Sequence, residues 1–264
     1  MLRVNDLWFS YGSGNVLEEV SFHVPEGELC ALFGPNGCGK TTLFKCCLRF
    51  LAFQRGAVLL GRRDVNSLRV EEIARLVAYV PQQHSPPFPF LVKEVVLMGR
   101  TPHLNGVFGA GAMDKQKAFD ALLRLKIDHL ADRPYNQLSN GQRQLVLIAR
   151  AMAQETRLVV LDEPTSALDF SNQIRIWQVM REMVKRGATI LACTHDPNHV
   201  AWFCDRIVVI RDGQIAAQGD PMEIMNHRLM DTIYGGSCSV GQTGDLKMVL
   251  PREVARRSAL DLED

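Results

Sequence analysis

The stretch "GPNGCGKT" at residues 34–41 has the composition of an anion cradle. Gly34, Gly37 and Gly39 let the backbone curl so that successive N–H groups point inward at phosphate oxygens. Pro35, Asn36 and Cys38 fill permissive positions between them. Lys40 brings a full positive charge to the β- and γ-phosphates of a nucleotide. The hydroxyl of Thr41 is placed to ligate Mg²⁺, and Thr42 lies beside it on the same segment. A ligand-free glycine-rich turn is the alternative, but this spacing between an apolar run and a helical stretch is what phosphate binding requires. Further along, "LVVLDEP" at 158–164 ends an apolar run in two carboxylates. Asp162 can hold Mg²⁺ through water, and Glu163 can accept a proton from an attacking water.

These residues need a frame. "ELCALFG" at 28–34, "VAYV" at 77–80, "RLVVLD" at 157–162, "ATILACT" at 188–194 and "RIVVIRDG" at 206–213 are short apolar runs that read as buried strands. Leu145, Ile148, Ala149 and Met152 recur at helical spacing, as do Ile176, Val179, Met180 and Met183. Strands alternating with helices predict an α/β fold with a largely parallel sheet. Residues 84–154 carry helical patterns after a proline-rich "SPPFPF" at 85–90, which predicts an inserted helical subdomain. The stretch 236–264 is Gly- and Ser-rich and then charged, and reads as a loosely held tail.

Composition narrows the class. The 264 residues are 47% hydrophobic and 22% charged, an ordinary soluble mix. A net charge of +1 gives no bulk field for nucleic acid. The 7 cysteines are odd in number and scattered, which fits reduced thiols in the cytosol. Cys38, at a helix start, is expected to favour its thiolate. No apolar run reaches the about 18 residues of a membrane span, and no secretory leader precedes Leu2. Any membrane role then requires docking onto another subunit.

Taken in order, the motifs resemble those of the ATP-binding cassette (ABC) family from about residue 2 to 234. "LSNGQ" at 138–142 corresponds to its signature, "SALD" at 166–169 to its D-loop, and His195 in "CTHD" to its switch histidine. Gln82 in "YVPQQ" looks like its Q-loop glutamine, chosen over Gln83 because it follows the strand directly. Tyr11 in "FSYGSG" looks like the aromatic that stacks on adenine, with Trp8 and Phe9 as competitors. The resemblance implies a P-loop NTPase core over 1–235, with an N-terminal antiparallel β subdomain. A metal site from Cys193, His195, His199 and Cys204 is the competing reading of the histidine region, and it lacks paired ligand spacing.

The resemblance further implies a head-to-tail dimer of two copies with ATP and Mg²⁺ between them. Ser139, Asn140, Gly141 and Gln142 would serve the ATP of the other copy, and Asp169 would organise the opposite site. Thr41, Gln82 and Asp162 would hold the metal, Glu163 would act as base, and His195 and Gln82 would sense the γ-phosphate. "VKEVVLMGRTPHL" at 92–104 is similar to ATPases of metal-chelate importers serving iron–siderophore, haem, cobalamin or molybdate uptake. That implies separate permease subunits, an indirect substrate-binding protein and a peripheral place on the cytoplasmic face of the inner membrane. Phe88, Phe90, Leu91, Met98 and His103 are expected to help form the permease socket, with packing in the subdomain's own core as the alternative for Leu91 and Met98. A non-transport cassette ATPase of the iron–sulfur assembly type and an exporter ATPase are the alternatives. One letter departs from the family: Asn140 replaces a glycine. Asn enters left-handed geometry readily and caps helices well, so Asn140 is expected at the tolerant position, and Gly141 where a side chain would crowd the phosphate.

Overall fold

Strand β1 (Leu2–Ser10) changes face part-way along. Leu2 and Val4 are buried, then Leu7 and Phe9, so the alternation shifts by one residue. The cause is a bulge: the register with β2 (Asn15–Val24) slips between Val4 and Leu7, and Asp6 has φ 49°. Gly56 faces this bulge, where an added Cβ would overlap the Asp6 carbonyl oxygen.

The computed structural model describes residues 1–12, 14–82, 88–104, 109–244 and 246–256. They form two compact units, Met1–Asn66 with Leu191–Asp264, and Ser67–Ile190. Chain order in the first unit continues with β3 (Leu29–Phe33), α1 (Lys40–Cys47), β4 (Arg55–Leu60) and β5 (Arg63–Asp64). Strands β2-β1-β4-β5 make an antiparallel sheet. Strand β3 is buried at every residue, as its unbroken apolar sequence requires.

The second unit holds α2 (Val70–Leu76), β6 (Val77–Val80), α3 (Val92–Leu97), α4 (Ala112–Arg124), α5 (Asn140–Ala153), β7 (Leu158–Leu161) and α6 (Phe170–Lys185). β6 and β7 pair in parallel, Val77 with Leu158 through Val80 with Leu161. Among the described residues between β6 and β7, α3, α4, α5 and short 3₁₀ turns occur without a named strand. Helix α5 buries Leu145, Ile148 and Ala149, and α6 buries Ile176, Met180 and Met183. Gln83 and the Pro86–Pro87 pair lie outside the described residues.

Arg100 holds the helical part together. Its guanidinium is 5% exposed and donates to Asp114 (3.1 Å), Glu155 (2.9 Å) and the Ala153 carbonyl (2.7 Å). The preceding Gly99 has no room for a Cβ, which would overlap the Arg150 carbonyl oxygen. The "GR" pair of the 92–104 pattern therefore joins the 3₁₀ turn after α3 to α4 and to the end of α5. His103, expected in the permease socket, is half-buried, and its Nε2 lies 2.8 Å from the Gln154 carbonyl oxygen. Phe88 and Met98 are exposed, whereas Phe90 and Leu91 are half-buried.

The chain re-enters the first unit along β8 (Thr189–Thr194) and continues through α7 (Pro197–Phe203), β9 (Arg206–Arg211), β10 (Gln214–Gly219), α8 (Pro221–Ile224) and α9 (His227–Tyr234). There the order is β10-β9-β3-β8, with β3 and β9 parallel and β10 antiparallel at the edge. The stretch expected to be a loose tail is instead a hairpin, β11 (Cys238–Thr243) with β12 (Leu246–Pro251), followed by α10 (Arg252–Ala255). Cys238, Val240 and Val249 pack onto Phe33, Val200, Met225 and Met230. The alternation of "CSVGQT" and "LKMVLP" is the pattern that carries this hairpin. The remainder of the expected tail, 257–264, lies outside the described residues.

Candidate functional site

In the first unit the phosphate loop leaves the end of β3. Gly34 is required there, because a Cβ would overlap the Ile210 carbonyl oxygen at the end of β9. Gly37 and Gly39 have φ 82° and 103°, values that L side chains rarely adopt. Gly39 also faces Leu17, whose Cδ2 would lie 2.9 Å from a Cβ. Helix α1 starts at Lys40 with no side-chain cap, so its first turn presents N–H groups and the positive dipole end. Lys40 is 6% exposed and its Nζ donates to the carbonyls of Gly34 (2.7 Å) and Pro35 (2.9 Å). The ammonium is thus held over the loop that a phosphate would enter.

Cys38 corrects one expectation. Its thiol is raised from the ordinary range, because burial outweighs the neighbouring Lys40 charge and backbone donors. It is a small filler of the loop rather than a thiolate.

Tyr11 stands apart from its competitors. Phe9 is buried in the core, and Trp8 donates Nε1 to Asp6 at 3.2 Å. Tyr11 is 64% exposed, its ring meets Phe9 edge-on at 4.8 Å, and its hydroxyl lies 3.5 Å from Thr42 Oγ1. It presents a flat aromatic face to solvent beside the phosphate loop. His195 is exposed on the turn after β8, and its carbonyl accepts a hydrogen bond from Tyr234 at 2.9 Å. Among the described residues no group of three His, Cys, Asp or Glu could hold a metal ion. His199 is buried, with Nδ1 3.4 Å from Asp196, and burial lowers its basicity.

In the second unit Asp162 ends β7, 2% exposed. Its backbone N–H donates to Val80, and Tyr79 donates its hydroxyl to the carboxylate at 3.3 Å. Glu163 follows with φ 45°, a left-handed conformation uncommon outside glycine. Such backbone strain recurs at functional sites. Gln82 donates Nε2 to Glu163 Oε2 at 3.0 Å.

The signature stretch is a helix start. Ser139 is the N-cap of α5, accepting from Gln142 N, while Gln142 Oε1 accepts from Ser139 N at 3.1 Å. This reciprocal capping box corrects the reading of Asn140 as a cap in left-handed geometry. Asn140 is the first helical residue and is exposed. Gly141 is buried, and a Cβ on it would lie 3.1 Å from Asn172 Cγ. Asp169 caps α6 and fixes that Asn172, accepting from its N at 2.9 Å and its Nδ2 at 2.8 Å. The same bonds hold the Asp169 carboxyl below its usual range. A cleft of about 210 Å³ brings Gln82, Glu163, Asn140 and Ser166 to one place.

Gln144, also on the cleft wall, was not singled out from the sequence. It is 8% exposed, and its Nε2 has no hydrogen-bond partner among the described residues. Its signal is a polar residue on the otherwise apolar face of α5. Asn172 and Tyr234 were missed too, and nothing in local spacing marks them.

The phosphate loop and the acidic strand end define a nucleotide-hydrolysing α/β protein. The ABC transporter family profile matches residues 17–166. A probable iron chelatin transport ATP-binding protein of Helicobacter pylori is 39% identical, with 87% of this chain and 91% of that protein covered. The ferric enterobactin transport ATP-binding protein of Escherichia coli is 35% identical, covering 90% of this chain and 89% of that protein. Among solved structures, a metal-chelate type ABC transporter in an inward-facing conformation superposes with TM-score 0.82 at 30% identity, covering 95% of this chain and 96% of that one. An ABC transporter cassette in its ADP conformation superposes with TM-score 0.80 at 28% identity, covering 89% and 97%. The chain belongs to the ABC transporter family, as an ATP-binding subunit with the family's ATPase fold and activity.

Proposed function

We propose that this protein is the ATPase of an importer for iron chelates, acting as a pair of copies beneath separate permease subunits. The observation that carries the ATPase half is the strand end in the second unit: a buried Asp162, then a strained Glu163 held by Gln82. Iron-chelate relatives at 35–39% identity, covering about nine-tenths of each chain, support the cargo class. Among the described residues no helix is long and apolar enough to cross a membrane, so attachment would run through the permease on its cytoplasmic face.

In this reading Tyr11 stacks on the adenine and the phosphate loop takes the phosphates. Lys40 moves its charge from the Gly34 and Pro35 carbonyls to the β- and γ-phosphates. The donors Thr41 hydroxyl, Asp162 carboxylate and Gln82 amide oxygen are hard oxygens, and the bond to Glu163 uses only the amide nitrogen of Gln82. They suit Mg²⁺, which when bound would neutralise phosphate charge. Glu163 polarises the attacking water, and His195 holds the γ-phosphate side of that water. Ser139 and the N–H groups at the start of α5 serve the ATP of the second copy, where the helix dipole favours an anion. Head-to-tail pairing is closed by a twofold axis. A substrate-binding protein would deliver cargo to the permease.

The test is uptake of ⁵⁵Fe-labelled siderophores, labelled molybdate and labelled cobalamin in a strain lacking this gene. Loss of iron-chelate uptake, restored by the wild-type gene but not by Glu163→Gln, is the expected result. Intact iron uptake with loss of molybdate or cobalamin uptake would overturn the cargo assignment.

A further inference from the structure

Tyr234 is the last residue of α9, and the chain makes an effort to hold it. The helix stops on Gly235 and Gly236, both left-handed (φ 62° and 79°), which turn the backbone away directly after the phenol. Ser237 donates its hydroxyl to the Tyr234 carbonyl at 2.9 Å. Arg252, from the helix after the hairpin, pairs with Asp231 one turn earlier at 2.8 Å, and its own N–H donates to Ser237. The segment after Gly236 thus braces α9 through Ser237 and Arg252.

From that position the tyrosine reaches two elements of the proposed chemistry. Its ring packs against Phe33, with centroids 6.3 Å apart at 64°. Phe33 is the last residue of β3, directly before Gly34 of the phosphate loop. Its hydroxyl donates to the His195 carbonyl at 2.9 Å. On the same turn, Asp196 N donates to Thr194 Oγ1, and the Asp196 carboxylate caps α7. The hairpin grips the same turn's helix. Asn198 exchanges two hydrogen bonds with Val249 of β12, and Trp202 donates to the Lys247 carbonyl. Burial pushes the phenol up to about 12, so the hydroxyl remains a donor at any physiological pH.

We propose that Tyr234 is a positioning residue for ATP hydrolysis, holding the His195 turn against the strand that launches the phosphate loop. This rests on the role given to His195 above. A group misplaced by about 1 Å can lose roughly 10²-fold in rate, so a bond that sets the main chain of the His195 turn can control rate without controlling binding.

The test is Tyr234→Phe, which keeps the ring on Phe33 and removes only the hydroxyl. ATPase kcat is expected to fall about fivefold to tenfold, with KM for ATP and the thermal midpoint essentially unchanged. Thr232→Ala removes another α9 hydroxyl, one bonded to the Arg228 carbonyl, and serves as the neutral control. Single-turnover measurements with excess protein place the effect: in a His195→Ala background, Tyr234→Phe should add no further loss. The His195 imidazole resonance should also shift in Tyr234→Phe and stay put in Thr232→Ala. An unchanged kcat, or a fall in kcat matched by a rise in KM and a lower midpoint, would overturn the proposal. So would a full additional loss in the double variant. If His195→Ala alone leaves kcat intact, the role of His195 itself fails, which is a separate outcome.

Discussion

Gln82 and Glu163 are joined by a 3.0 Å hydrogen bond, from the amide nitrogen to one carboxylate oxygen. The two lie about eighty positions apart in sequence. Each follows one of two paired parallel strands, β6 and β7, so the pairing of Val80 with Leu161 brings them together. A glutamine at 163 would keep an acceptor for the Gln82 amide while losing the basicity. Glu163→Gln is therefore expected to fold normally and still bind ATP and dimerise. Its turnover should fall by roughly 10²–10⁴-fold, the usual contribution of a general base. Phosphate release and size-exclusion chromatography with ATP measure the two properties, and near wild-type turnover would remove Glu163 from its role.

Gly141 faces an Asn172 that cannot easily move, because Asp169 holds it by two hydrogen bonds. Gly141→Ala should lower stability by about 1–2 kcal/mol through overpacking. Adding Asn172→Ala should recover most of that, a coupling that thermal melts of the four proteins would measure. Asn140 is exposed at the first helical position, so Asn140→Gly should leave the melt and the ATPase rate within about twofold of wild type. Gly141→Asp should abolish hydrolysis. Equal damage from Asn140→Gly and Gly141→Asp would show that the tolerant position has been mistaken.

Arg100→Met keeps most of the apolar stem and removes the charge that Asp114 and Glu155 share. The cost should be about 2 kcal/mol, below the ~3–5 kcal/mol of a fully buried pair because both carboxylates reach water. The hydrogen bond from Arg100 holds the Asp114 carboxyl below its usual range. A depressed carboxyl stabilises the fold above the unfolded value and loses that contribution as pH falls through the folded one. The gap between wild type and Arg100→Met should therefore be wide at pH 7 and narrow below about pH 4. Urea unfolding at both pH values checks the sign, and a gap that widens in acid would contradict it.

Ending the chain after Gly236 removes β11, β12 and α10 and uncovers Val200, Met225 and Met230. Losing the buried Val240 and Val249 alone should cost on the order of 4 kcal/mol. Circular-dichroism melts should show a much lower midpoint for the shortened chain. An unchanged midpoint would return this segment to the status of a tail.

Much of the chemistry was legible because it is local. A phosphate loop is a run of consecutive residues whose glycines answer to backbone angles, as Gly37 and Gly39 show. The acidic pair sits at the end of an apolar strand, and helix α5 follows from the spacing of Leu145, Ile148 and Ala149. What was misread depended on partners far along the chain. The hairpin at 238–251 has weak alternation and reads as a tail from the sequence, yet its buried side meets Phe33 and Val200. The reading of Asn140 as a cap fails locally instead, because Ser139 takes that position.

The sequence by itself determined the kind of site: a glycine-rich loop with a lysine, two carboxylates at the end of an apolar strand, and a polar helix start. These follow from residue type and short-range geometry. Only the tertiary structure decided which side chains restrain them. Gln82 on Glu163, Asn172 against Gly141, Arg100 between Asp114 and Glu155, and Tyr234 on the His195 carbonyl each join positions set by packing rather than by spacing. The physical reason is that a hydrogen bond or a close contact is specified by distance in space, and distance in space is fixed only when the strands and helices have found their neighbours.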